Sequence, residues 1–181
     1  MFTGARLALV ASLALWPEGS VVEHRGLPAD PGSDLAACVA PEHHQFDFWA
    51  GDWDVSDVSK PDSIKARARV ERILDGCALH ELYEGSSGLT GESFSIYDAS
   101  RRVWHQSWVT NRGQLLMIEG GMDGNRMILT GTDHTAGGAG VLLRGIWVPI
   151  ADGVRETAET SSDGGRTWLP LFDLLFRKHA S

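Results

Sequence analysis

From Phe46 onward the chain alternates short runs of β-forming residues with clusters of turn formers, and this rhythm restricts the fold more than any other feature. The runs are Phe46–Val55, Ile64–Leu74, Ala78–Glu84, Glu92–Tyr97, Val103–Thr110, Leu115–Met122, Arg126–Thr132, Val141–Val148, Val154–Ser161 and Thr167–Arg177. GSSGLTG, DASRR, TNRG, MDGNR, DHTAGGAG, PIADG and SSDGG separate them. Asp123-Gly124 and Asp163-Gly164 are strong hairpin signals, because glycine readily takes the positive φ that primed turns require. Many strands with turns at near-regular spacing predict an antiparallel up-and-down meander, and closing it into a barrel removes its exposed edges. The expected fold is all-β, one barrel of roughly eight to ten strands.

Only Ile64–Leu74 (IKARARVERIL) has a helix-compatible composition. Ile64, Ala66, Ala68 and Val70 nevertheless alternate with Lys65, Arg67, Arg69 and Glu71. Period two predicts a strand with its basic face in solvent. In WHQSWV, Trp104, Gln106 and Trp108 share one face, which is the expected interior, and His105, Ser107 and Val109 share the other. The last run, TWLPLFDLLFRK, is apolar on both faces, so a cover over its outside is expected from the N-terminal segment or a neighbour.

Seven tryptophans in 181 residues are a large aromatic surface, to be buried in a core or offered to a ligand. The net charge of −8, with 16 scattered Lys and Arg, supplies no basic stripe and argues against nucleic acid as a partner. Leu7–Trp16 (LALVASLALW) is too short for a bilayer, which takes about 20 residues, but suits the apolar region of an export signal. We therefore expect a signal over residues 1–24, a Pro/Gly/Ser/Asp-rich tether over 25–40, and a barrel domain over 41–181 with no integral membrane segment in the mature chain. The expected location is secreted or periplasmic.

Cys38 and Cys77 admit three readings. One disulfide between them would pin the tether to the barrel wall and stabilise the fold by about 4 kcal/mol in the loop-entropy picture. LAAC, Leu35 to Cys38, also spells a lipobox, but Asp30–Asp34 separates it from the apolar region. Two unrelated buried thiols are the third reading.

FDFWAGDWDV carries Gly51-x-Trp53 at the head of the first run, which resembles the G-x-W signature of lipocalins and related calycin barrels. In those proteins a basic side chain near the last strand stacks over the tryptophan, and Arg177 stands at that place. FDFWAGDWDV, ILDGCALHE, GESFSIYD, WHQSWV, the DGVRE run and SSDGGRTW, taken in order, resemble an uncharacterised, mostly bacterial and often exported family of lipocalin-like barrels (a domain of unknown function). The resemblance implies a barrel with an interior cavity and no established activity. Relative to the family pattern, Glu156 replaces a Gln, Ala158 a Trp, and Gly145 a second basic residue after Arg144, which implies an enlarged or recharged cavity.

A barrel of this size holds one small molecule, here one expected to be apolar or amphipathic. The candidate lining is Trp104, Gln106, Trp108, Glu81, Tyr83 and Trp147, with Arg144 and Glu159 completing a polar cluster if they point inward. The alternatives are a solid tryptophan core, with Arg144 and Glu159 as a structural ion pair, and an enzyme of isomerase, cyclase or hydrolase type with Glu81 or Glu159 as general base. No cofactor and no metal are expected: His43-His44 are adjacent and no chelating spacing occurs, although His105 or His80 would supply the axial ligand of a haem barrel. Finally, SSDGGRTW matches the Asp-box of sialidases. One copy in 181 residues cannot build a propeller, so it is read as a hairpin clasp between the last two strands.

Overall fold

The computed structural model describes residues 38–134 and 140–180. The expected signal over 1–24 lies outside the described residues, as does the expected tether over 25–40 apart from its last three. Among the described residues ten strands follow one another: β1 (Gly51–Asp57), β2 (Lys60–Ile73), β3 (Ala78–Gly85), β4 (Thr90–Asp98), β5 (Val103–Thr110), β6 (Leu115–Asp123), β7 (Arg126–His134), β8 (Gly140–Ile150), β9 (Gly153–Ser161) and β10 (Leu169–Lys178). Each pairs antiparallel with its chain neighbours, and β1 pairs with β10, closing the barrel. Among the described residues no strand edge is left unpaired, which is the stability argument for closure.

Alternation drives each strand. On β2, Ala66, Ala68 and Val70 are buried while Lys65, Arg67 and Arg69 are exposed, as period two requires. Ile64 departs from that pattern and is exposed. Bulges around Ser56 on the neighbouring β1 shift the register there. On β10 a register shift between Pro170 and Phe172 restarts the alternation, so Phe172, Leu174 and Phe176 turn inward. The expected cover over this strand is not found among the described residues: Leu169 and Leu171 are 66% and 55% exposed.

FDFW is not the start of the first strand. Asp47–Trp49 forms a short 3-10 turn, and a second one spans Pro41–His44. Phe46 and Trp49 lie three residues apart, which a helical turn brings to one side, and their rings stack at 5.0 Å. Both are essentially fully buried. They plug the end of the barrel where β1 begins, against Trp104 and Trp147. Trp53 donates its indole N–H to the Trp49 carbonyl at 3.0 Å, tying the plug to the wall. Outside, Arg72 bridges to Asp47 and donates to the Gly76 carbonyl at 2.7 Å. The Cys38–Cys77 disulfide joins the segment preceding the plug to the β2–β3 connection. That pairing settles the three cysteine readings, and the same sulfur cannot carry a lipid anchor.

Candidate functional site

Above the plug the barrel is hollow. A cavity of about 570 Å³ opens toward the β3–β4 and β5–β6 hairpins, with Lys65, Ser86, Gln114 and Asp133 around its mouth. Its aromatic wall is Tyr83, Trp108, Trp147, Phe172 and Phe176, and aliphatic area comes from Leu116, Ile118 and Leu143. Two glycines shape this wall. A Cβ on Gly91 would sit 2.4 Å from the Trp108 ring, and one on Gly145 would sit 2.6 Å from the Trp147 ring. Both indoles therefore lie flat over backbone, and the space that a side chain would fill is given to a ring.

Five of the six expected lining residues take part: Glu81, Tyr83, Gln106, Trp108 and Trp147. Trp104 does not. It faces inward but belongs to the plug, donating its indole N–H to Gln45 at 3.1 Å and packing edge-on against Phe46. Arg144 does not either, because β8 turns Leu143, Gly145 and Trp147 inward and therefore Arg144 outward. Outside, its guanidinium donates to Glu159 at 3.0 Å and covers the Trp168 ring at 4.1 Å. The expected inward polar cluster of Arg144 and Glu159 is thus an outer-wall ion pair, and Glu159 is no candidate for cavity chemistry. Arg177 also lies on the outer face, where it donates to the Pro61 carbonyl, so the expected stacking of Arg177 over Trp53 is not found; the cation–π contact among the described residues is that of Arg144 over Trp168. His80 and His105 are wall residues of the outside, bonded to Glu92 and Glu119 at 2.9 and 3.0 Å.

The carboxyl missing from the expected lining is Glu156, which the resemblance tied to the cavity only as a replacement for a Gln. Val154 and Ala158 are buried on β9, so Glu156 between them shares their inward face, and the alternation alone carries this signal. It pairs across the sheet with Trp147 on one side and Leu174 on the other. Glu156 keeps some accessible surface and lines the cavity. The surface that remains is cavity wall.

Glu81 and Glu156 dominate the electrostatics. Burial pushes the Glu81 carboxyl up to about 7, against which a 2.9 Å hydrogen bond from Ser93 works only partly. Glu156 is raised well above the usual carboxylate range, first by burial and then by the charge of Glu81. The Trp147 indole N–H opposes that rise from outside hydrogen-bond geometry, since it has no partner among the described residues. Tyr83 is pushed up to about 12 by burial and by the two carboxyls, so it stays a neutral phenol. Beneath them Gln106 donates to Ser95 at 3.1 Å, so the deep polar groups are mostly bonded to one another.

SSDGGRTW closes β9 to β10. Asp163 accepts from the Arg166 and Thr167 amides at 3.0 and 2.9 Å and from the Thr167 hydroxyl at 2.7 Å. These bonds, that of the Thr167 hydroxyl first, hold its carboxyl down at about 2. Gly164 and Gly165 take φ of 75° and 86°, and Trp168 donates to the Gly165 carbonyl. The motif is a clasp, and its carboxylate is saturated. No family model and no curated protein matches the chain.

Proposed function

We propose that this protein is an exported, lipocalin-like binding protein that holds one small amphipathic molecule inside its barrel. The cavity carries the reading: about 570 Å³, plugged at one end and open at the other, with aromatic walls and a few fixed polar groups. A chain with a structural purpose would gain stability by filling that space, since each unfilled volume of a core is destabilising. The disulfide supports export, because such bonds persist in oxidising compartments. The order of motifs shared with lipocalin-like barrels supports the same reading.

Titration with apolar and amphipathic compounds, followed by tryptophan fluorescence, tests it. Trp108 and Trp147 line the cavity, so a ligand should change their emission, and Trp108→Ala should weaken both the change and the affinity. Absence of any saturable response across such a panel would overturn the reading. One observation favours a second reading, catalysis: Glu81 titrates near neutrality inside a ligand-sized cavity, where a general base works best. Turnover of a bound compound that disappears in Glu81→Gln, with binding retained, would establish it.

A further inference from the structure

We propose that the occupant of the cavity is an organic ammonium, a protonated amine on an apolar body, held with its nitrogen between Glu81 and Glu156. This rests on the binding reading above and adds the charge of the ligand.

The argument begins with the sign of the interior. Glu81 and Glu156 line the cavity, and among the described residues the one basic side chain in its wall is Lys65 at the mouth. Among the described residues the interior therefore holds two acidic groups and no cation to neutralise them. Buried carboxyls are ordinarily paired. The basic residues that could have done so, Arg144 and Arg155, are on the outer wall, bonded to Glu159 and Asp173. Glu156 accepts no hydrogen bond in proper geometry from a described residue, and the Trp147 N–H that faces it is likewise without a partner. Glu81 has its single bond from Ser93, on one oxygen. Acceptor positions thus converge on a space that a donor from outside must fill.

The walls choose the kind of donor. Trp108, Trp147 and Tyr83 line the same cavity as the carboxyls, and Phe172 and Phe176 continue that aromatic surface. Ring faces attract ammonium groups and repel anions. A fatty acid would bring a third carboxylate into the same enclosed volume, which is costly without a cation. A hard metal ion is poorly matched too, because calcium takes about six to eight oxygen ligands and the described residues contain no group of three or more His, Cys, Asp or Glu side chains placed to hold a metal ion. An amine with an apolar body satisfies the carboxyls and the aromatic area together.

The test uses the full disulfide-bonded chain and three probes of one length, octylamine, 1-octanol and octanoate, read by tryptophan fluorescence and calorimetry. We expect octylamine to bind about tenfold or more tightly than octanol, and octanoate least. Glu156→Gln should bring octylamine to within about twofold of octanol while leaving octanol binding in place. Glu81→Gln gives the same readout should the first variant fold poorly. Wild-type protein supplies an independent arm: octylamine affinity should rise between about pH 6 and pH 8 as the ammonium displaces a proton from the carboxyls, while octanol affinity stays flat. The titratable and charged groups facing the site are Glu81, Tyr83 and Glu156, with Lys65 and Asp133 at the mouth. Equal or tighter binding of octanol or octanoate would overturn the ammonium proposal and leave the binding reading standing. No binding of any probe would overturn both.

Discussion

The two ends of this barrel solve opposite problems with the same kind of residue. At the plugged end Phe46, Trp49, Trp104 and Trp147 pack ring against ring at 5.0 to 5.7 Å. At the open end Tyr83 and Trp108 meet edge-on at 5.9 Å, and the space beyond them is empty of side chains. Trp147 belongs to both, packing against the plug and lining the cavity. The difference comes from what fills the third dimension. A 3-10 turn crosses the axis at one end, and at the other Gly91, Gly145 and Ala158 keep the wall thin. The plugged end should therefore carry stability, and the open end specificity.

Removing the plug is the strongest way to break this division. Trp49→Ala should cost about 3–5 kcal/mol, as deletion of a large buried aromatic does, and chemical denaturation would measure it. Trp108→Ala, with a half-buried ring on a cavity that already exists, should cost clearly less. Equal losses at the two sites would mean that the open end is as much a core as the plugged one.

How far such a division was legible in the sequence depends on the period of each stretch. Strands were legible wherever period two ran unbroken, as in VWHQSWVT, whose inward Gln106 and Trp108 followed from phase alone. The plug was not, because FDFW has strand-like composition and its three-residue spacing of Phe46 and Trp49 carries little signal in so short a segment. The site was half legible. Glu81, Tyr83 and Trp147 fell on inward phases, whereas Arg144 and Glu159 were considered as a chemically plausible pair, and their phase points outward. Glu156 was readable from Val154 and Ala158, but a carboxyl between two buried apolar residues looks anomalous until a cavity is there to receive it.

Reducing the disulfide is the next largest perturbation. The bridge spans a sequence separation of 39 and ties the plug segment to the wall. A loop of that size gives about 4 kcal/mol in the entropy picture, with typical values of about 2–4. Cys38→Ser/Cys77→Ser should therefore lower the unfolding midpoint in denaturant without altering cavity affinity once the chain is folded. A loss of binding in the folded double variant would show that the plug sets the shape of the cavity.

Third comes the pH dependence of the open end. Glu81 titrates at about 7 in the folded chain against 4.5 ordinarily, so the native state holds a proton that the unfolded chain gives up between those values. Its contribution is fully present below about pH 4.5 and is lost as pH rises through about 7, on the order of 3 kcal/mol. Glu156 acts in the same direction. Wild-type stability should fall from pH 5 to pH 8, and Glu81→Gln should flatten that slope and be the more stable protein at pH 8. A stability that rises over this range would mean that the carboxyls are ionised and paired in the empty protein.

The smallest effect sharpens the contrast most, because it compares two carboxyls three residues apart on one strand. Glu156 faces the cavity, and Glu159 faces outward beneath Arg144, whose guanidinium also covers Trp168. The outer pair is partly exposed, so water and salt screen it, and such pairs contribute about 0.2–1 kcal/mol. The ring contact adds about 0.5–1 kcal/mol. Glu159→Gln should accordingly lower stability by less than about 1 kcal/mol, an effect that shrinks further in salt. It should leave the affinity for octylamine within about twofold of wild type, where Glu156→Gln removes the preference for the amine altogether. A shift in amine affinity from Glu159→Gln as large as that from Glu156→Gln would show that charge reaches the ligand through the wall, and that the orientation of the side chain is not what selects the ligand.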